Sequence, residues 1–232
     1  MKIRERQYLI FDADDTLWEN NIYFEDAFDR FFDFLGHSSL NPDQVRAALD
    51  EIEIVNNKIH GYGAKNFARN LAQCYRHLCE RGIAEEDVQQ VMGFAEEILH
   101  APVELIPGVE ETLALLGQVH ELTLFTKGHP EEQHSKIDRS GLRSYFDHCA
   151  VVKEKNAAAY LSLAKERSFD TRRTWMIGNS PKSDINPALR AGLRAVFIPH
   201  ARTWTLEREE VPEEHVRLVC IEKFGELAKV FL

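Results

Sequence analysis

The chain's 232 residues, 44% hydrophobic and 28% charged, suit one large soluble domain or one domain carrying a smaller insert. A formal charge of -10 counts against wrapping a nucleic-acid backbone, which calls for basic patches, and against long-range attraction of an anionic ligand. No apolar run approaches the roughly 20 residues that cross a bilayer, and "MKIRERQYLIF" lacks a signal peptide's apolar stretch, so a cytoplasmic chain without a membrane partner is expected.

Tyr8 to Phe11 is a short apolar run of the kind a buried parallel strand shows. It leads straight into "DADD", where Asp12, Asp14 and Asp15 crowd mutually repelling carboxylates at the end of a hydrophobic segment. Four stripes of helical spacing follow. Phe24, Phe28, Phe31, Phe32 and Leu35 form the first; Val45, Ala48, Leu49, Ile52 and Ile59 the second. Phe67, Leu71, Cys74, Tyr75 and Leu78 form the third; Val88, Val91, Met92, Ala95 and Leu99 the fourth. "GHSSLNP", "HGYG" and "RG" punctuate the gaps, and such a block buries its own core as a helical bundle. The charges interleaved in "YFEDAFDRFFDFL" are acidic except Arg30, which favours bundle core over a base-stacking platform. Within the block, "IHGYGAKNF" joins two helices and offers His60, Tyr62 and Lys65 as candidate substrate contacts.

After "LIPG" the texture changes. Glu121 to Phe125, His148 to Val152, Thr174 to Ile177 and Ala195 to Ile198 are short apolar runs. They alternate with helical segments at Glu131 to Arg139, Asn156 to Arg167 and Ser183 to Arg190, a pattern that indicates a parallel sheet covered on both faces. Arg217 to Ile221 is expected as an edge strand, followed by a closing helix through Leu232, and "EREEVPEEH" as a solvated charged loop. The scattered Cys74, Cys79, Cys149 and Cys220 form no C-x-x-C pair and are expected as reduced core residues. His129 and His134, five apart, do not make a helical metal pair and are expected at the surface, whereas "HARTW" around His200 follows the fifth strand toward the site.

The fold expected is α/β: a Rossmann-like doubly wound parallel core from 1–18 and 104–232, with an inserted α-helical bundle cap at 19–103. In such sheets ligands bind at the carboxyl ends of the strands. Polar residues stand at each end: Asp12, Asp14 and Thr16 after the first, Thr126, Lys127 and Gly128 after the second. Lys153 and Lys155 follow the third, and Asn179, Ser180, Ser183 and Asp184 the fourth. Clustered carboxylates suit a hard cation such as Mg2+, which often shares oxygen ligands with phosphate.

The combination resembles the haloacid dehalogenase superfamily of phosphohydrolases, across nearly the whole chain. Asp12, Asp14 and Thr16 match its D-x-D-x-T motif, Thr126 its second motif, a lysine its third, and "GNSPKSD" part of its acidic fourth. The resemblance implies that Asp12 attacks phosphorus to form an aspartyl-phosphate and that Asp14 serves as general acid and base. Those roles require Asp12 ionised and Asp14 protonated at the start. It implies Mg2+ held by the Asp12 carboxylate, the Asp14 carbonyl and Asp184, with phosphate oxygens bound by Thr126, the Gly128 N–H and the Lys127 N–H. Three departures stand out. Asp15 occupies a position where glycine is commonest, Asn179 replaces an aspartate, and no proline follows the lysine. Lys155 is favoured over Lys153 because "KNAAAY" leads into a helix. The activity implied is hydrolysis of a small phosphorylated metabolite. A phosphomutase of the same superfamily, or a metal- and phosphate-binding module with little turnover, are the alternatives. The acid/base Asp14 favours phosphoryl transfer over carbon–halogen hydrolysis.

Overall fold

The computed structural model describes residues 5–212 and 215–232. Its chain divides into two compact units, one built from Met1–Glu19 and Val103–Leu232 and the other from Asn20–Pro102.

The first unit contains a parallel sheet of six strands among the described residues, ordered β3-β2-β1-β4-β5-β6. They are β1 (Tyr8–Phe11), β2 (Glu121–Lys127), β3 (His148–Val152), β4 (Thr174–Gly178), β5 (Arg194–Phe197) and β6 (Leu218–Cys220). Because successive side chains leave a strand on opposite faces, a central strand covered on both sides must be apolar throughout. β1 obeys this rule. Leu9 and Phe11 join one core with Leu122, Leu124 and Ile177, whereas Ile10 joins another with Phe125 and Met176.

Helices supply the two covers. The first core is closed by α5 (Val109–Leu116), α6 (Pro130–Arg139) and α9 (Leu227–Phe231), through residues such as Leu113, Ile137 and Phe231. The second is closed by α7 (Ala157–Arg167) and α8 (Asn186–Arg190), through Tyr160, Leu163 and Ala188. Phe11 lies opposite both Leu124 and Ile177, so the end of β1 sits between β2 and β4 at the point where strand order reverses.

The expected strand positions hold to within a residue or two. β2 runs further than expected, so Thr126 and Lys127 belong to the strand itself. The segment expected as one helix from Ser183 to Arg190 instead begins with a single π-turn, Pro181–Ile185, before α8. The charged loop is corrected at its first residue: Glu207 is 9% exposed, with its charge paired, and residues 213 and 214 of that stretch lie outside the described residues. The cysteine expectation holds for Cys74, which is buried; Cys79 and Cys149 are half-buried, and Cys220 is exposed because β6 is an edge strand.

The second unit is helical: α1 (Asn21–Leu35), α2 (Pro42–His60), α3 (Ala64–Leu78) and α4 (Glu85–Glu96). A capping box starts α2, where Asn41 accepts from the Gln44 N–H and the Gln44 side chain accepts from the Asn41 N–H, each at 3.0 Å. All four stripes contribute to one core around Phe31, Leu49, Leu71, Tyr75 and Val91. Ile59 stays outside it at 68% exposed, in the last turn of α2, as does Leu99, which lies beyond the end of α4.

Candidate active site

Asp12 follows β1 directly, and its N–H donates to the Ile177 carbonyl at 2.9 Å, continuing the ladder one residue past the strand. The carboxylate is buried and its Oδ1 is in contact with the Lys155 ammonium. Lys155 precedes α7, whose first turn is fixed by Asn156 accepting from the Ala159 N–H. The same ammonium donates to Asp184 Oδ1 at 2.8 Å, so one cation bridges two carboxylates from distant parts of the chain. Lys153 is exposed, which leaves Lys155 as the lysine of the site.

Asp184 is wholly buried, its Oδ2 accepting from the Ser180 N–H at 3.0 Å within the π-turn. Gly178 permits this approach: a Cβ there would lie 2.2 Å from Asp184 Oδ2. Burial pushes the Asp184 carboxyl up to about 7, helped by repulsion from Asp12 and opposed by Lys155. Burial also raises Asp12, with Lys155 pulling the other way and Asp14 adding repulsion. Lys155 itself is raised: burial alone would lower it, but its two carboxylate partners prevail. Two buried carboxylates thus share one ammonium. The Thr16 hydroxyl lies 3.3 Å from Asp12 Oδ2 and 3.1 Å from Asn179 Oδ1, and the Asn179 amide donates to Thr203 at 3.3 Å. Thr126, at the end of β2, is buried.

This oxygen-rich set fits a hard divalent cation. Asp12 and Asp184 repel each other in a dry setting, and Asn179 turns a carbonyl oxygen toward the same ground. Removing like charges from water is tolerable only with compensating positive charge.

Asp14 departs from the expected protonated state. Burial would raise it, but Lys136 Nζ at 2.5 and 2.7 Å, the Gln133 amide at 2.9 Å and the Trp18 indole N–H at 2.8 Å hold it below the usual carboxylate range. Gly128 also departs, because its N–H donates to the Val152 carbonyl at 3.2 Å and is not free for phosphate. Its φ of +156° and lack of a Cβ serve Gln133 instead, whose Nε2 would stand 2.6 Å from any Cβ at that position. The Lys127 side chain bonds Glu207 at 2.6 Å and Ser183 at 3.0 Å. Asp15 takes φ +59°, a left-handed conformation that Asp tolerates better than most residues, which accounts for a residue other than glycine at that position.

His200 does approach these loops: its Nε2 lies 3.2 Å from Glu19 and its Nδ1 3.9 Å from Asp15. Those three residues form a group of potential ligand atoms within 4.8 Å of one another. Of the surface histidines, His134 is exposed and His129 half-buried. Tyr62 lies in the helical unit, half-buried in the short turn between α2 and α3; His60 ends α2 and Lys65 is the second residue of α3, both exposed.

Gln133, Lys136 and Glu207 carry no motif signal. The first two lie three residues apart on α6, so both point to one face, and that spacing is the only trace the sequence holds of a shared task.

The chain is similar in fold and in sequence to known proteins. A haloacid dehalogenase-like family hydrolase from Xanthomonas campestris superposes with a TM-score of 0.83 at 29% identity, covering 96% of this chain and 93% of that one. HAD-hydrolase YfnB from Bacillus subtilis, solved bound to magnesium, shares the fold at a TM-score of 0.66 and 19% identity, over 97% and 98% of the two chains. In sequence, the chain is 26% identical over 129 residues to pyrimidine 5'-nucleotidase YjjG of Escherichia coli, 48% of this chain and 57% of that protein. It is 25% identical over 103 residues to a glyceraldehyde 3-phosphate phosphatase of Pyrococcus abyssi, 42% of this chain and 43% of that protein. The chain spans about half the length of these curated relatives. The family model described as haloacid dehalogenase-like hydrolase matches residues 9–198, from the strand that delivers Asp12 to the end of the fifth, and the chain belongs to that family.

Proposed function

We propose that this protein is a Mg2+-dependent phosphatase that cleaves a small phosphorylated metabolite through an aspartyl-phosphate on Asp12. The observation that carries this reading is Lys155 bridging Asp12 and Asp184, three residues delivered by three separate strand ends. Phosphate monoesters hydrolyse very slowly unaided, so a catalyst must neutralise charge and supply a nucleophile.

The Asp12 carboxylate attacks phosphorus, and the bond from phosphorus to the leaving oxygen breaks. Lys155 orients that carboxylate and favours its ionised form against burial. Because Lys136, Gln133 and Trp18 favour ionised Asp14, it must first take up a proton from solvent as substrate binds; it hands that proton to the leaving oxygen and later takes one from the water that attacks the phospho-aspartate, restoring Asp12. Lys136 and Gln133 set where Asp14 waits. Thr126 binds a phosphoryl oxygen. Asp12, Asp184, the Asp14 carbonyl and Asn179 would hold Mg2+, which, when bound, offsets charge on the phosphoryl oxygens. Solved haloacid dehalogenases share the fold, but an acid/base carboxylate two residues after the nucleophile suits an oxygen leaving group. Both curated relatives named above are phosphate-ester hydrolases by name.

A phosphate-release screen over sugar, nucleotide and small organic phosphates tests the reading. Wild type with Mg2+ should turn over at least one class, and Asp12→Asn should lose about a thousandfold or more. Turnover unaffected by Asp12→Asn would remove the nucleophile from the scheme, and absence of release from the whole panel would favour a binding module.

A further inference from the structure

Lys127 occupies a strand end where a ligand contact was expected, yet its ammonium points into a buried network. It donates to Glu207 Oε1 at 2.6 Å and to Ser183 Oγ at 3.0 Å. Glu207, in the short turn Thr205–Glu207, accepts at its other oxygen from the Ser180 hydroxyl at 2.6 Å. The chemistry of these groups fixes direction at each link. A carboxylate only accepts, so Ser180 must spend its single hydroxyl proton on Glu207. That leaves the Ser180 oxygen to accept from the Ser183 N–H, which it does at 2.9 Å. Ser180 is then pinned, its own N–H holding Asp184 Oδ2 and its carbonyl accepting from the Asp184 N–H at 2.9 Å. Asp184 Oδ1 is thereby left to face Lys155.

The element so held is a lone π-turn, Pro181–Ile185, a conformation that is rare and clusters at functional sites. Lys127 and Glu207 are each only 11% exposed at the side chain. Burial would raise Glu207, but Lys127 and the serine hydroxyls keep it below its ordinary value.

We infer that the Lys127–Glu207 ion pair, acting through Ser180, is the positioning device that sets the Asp184 carboxylate for the metal, so that both residues determine cation affinity without touching the cation or the substrate. The inference rests on the phosphatase reading for its site but is read out by metal binding. Outer groups of this kind are typically worth 10- to 100-fold in metal affinity. Replacing Glu207 by glutamine keeps the shape but presents an amide donor to either Lys127 or Ser180, which breaks the ordered chain of donors.

The test is calorimetric titration with Mg2+ alone, alongside the Mg2+ dependence of phosphate release. Glu207→Gln and Lys127→Met should each weaken Mg2+ binding about tenfold or more. Both should raise the Mg2+ concentration needed for half-maximal activity by a similar factor, while kcat at saturating Mg2+ stays near wild type. The double variant should cost little more than either single one, since the pair acts as a unit. Lys182→Ala, which removes a 2.7 Å bond to the Leu206 carbonyl joining the same two segments outside the network, should leave Mg2+ affinity unchanged. Thermal melts confirm folding of each variant. Folded variants that bind Mg2+ like wild type, or a Lys182→Ala loss equal to theirs, would overturn the inference. A wild type that binds Mg2+ yet releases no phosphate would overturn the phosphatase reading while leaving this one standing.

Discussion

Gln133 spends one amide nitrogen on two acceptors, the Lys127 carbonyl and Asp14 Oδ2, both at 2.9 Å. The space for that arrangement is the missing side chain of Gly128. Gly128→Ala should therefore evict Gln133 and strain the backbone together. A loss of about 1–2 kcal/mol in denaturant unfolding is expected, with slower phosphate release because Asp14 loses a donor. Unchanged unfolding and unchanged turnover would show that Gln133 is free to give way. Asp12, Lys155 and Asp184 were legible in combination, as polar residues after three apolar runs in the order of the family's motifs, with "KNAAAY" leading into a helix. Gln133 and Lys136 were hidden among the ordinary polar residues of a surface helix. Glu207 was hidden more deeply: in "EREEVPEEH" nothing separates this inward-turned carboxylate from the exposed Glu209 and Glu210.

At the level of elements, His120 ties the start of β1 to the end of α9. Its Nδ1 accepts from the Gln7 N–H at 3.1 Å and its Nε2 lies 3.2 Å from the Phe231 carbonyl, so the neutral ring with a proton on Nε2 satisfies both. Burial lowers its pKa below the ordinary 6.5, against a smaller upward pull from Phe231. A depressed folded-state value means the contribution is present above 6.5 and is lost as pH falls through the folded value. Wild type should lose more thermal stability between about pH 7.5 and about pH 5.5 than His120→Gln. Equal losses would assign the acid sensitivity elsewhere. Strand positions were legible from apolar runs, but α5 was not read from its sequence, "VEETLALL". The π-turn was equally invisible, because its sequence, "PKSDI", differs in no local way from an ordinary helix start.

Across the whole molecule, the cores are separate: the sheet unit buries its apolar residues around Phe11 and Ile10, the helical unit around Phe31 and Tyr75. The interval between Phe11 and Glu121 made that division readable, since a strand whose neighbour arrives so late must have an insertion between them. The two strands of chain that border the helical unit are paired within the sheet unit. The Glu19 N–H donates to the Glu104 carbonyl and the Ile106 N–H to the Leu17 carbonyl, each at 2.9 Å, with Trp18 bridged to Leu105. Replacing residues 20–102 by a short Gly/Ser linker should therefore leave a sheet unit that melts cooperatively and still binds Mg2+. A non-cooperative melt would show that the sheet needs the helices to fold.

That pairing has a consequence for descent. A segment that departs and returns through one doorway can be lengthened, traded or rebuilt as a cassette, with no strand obliged to slip register to accommodate it. Lineages can then experiment with the insert while the sheet unit is inherited untouched.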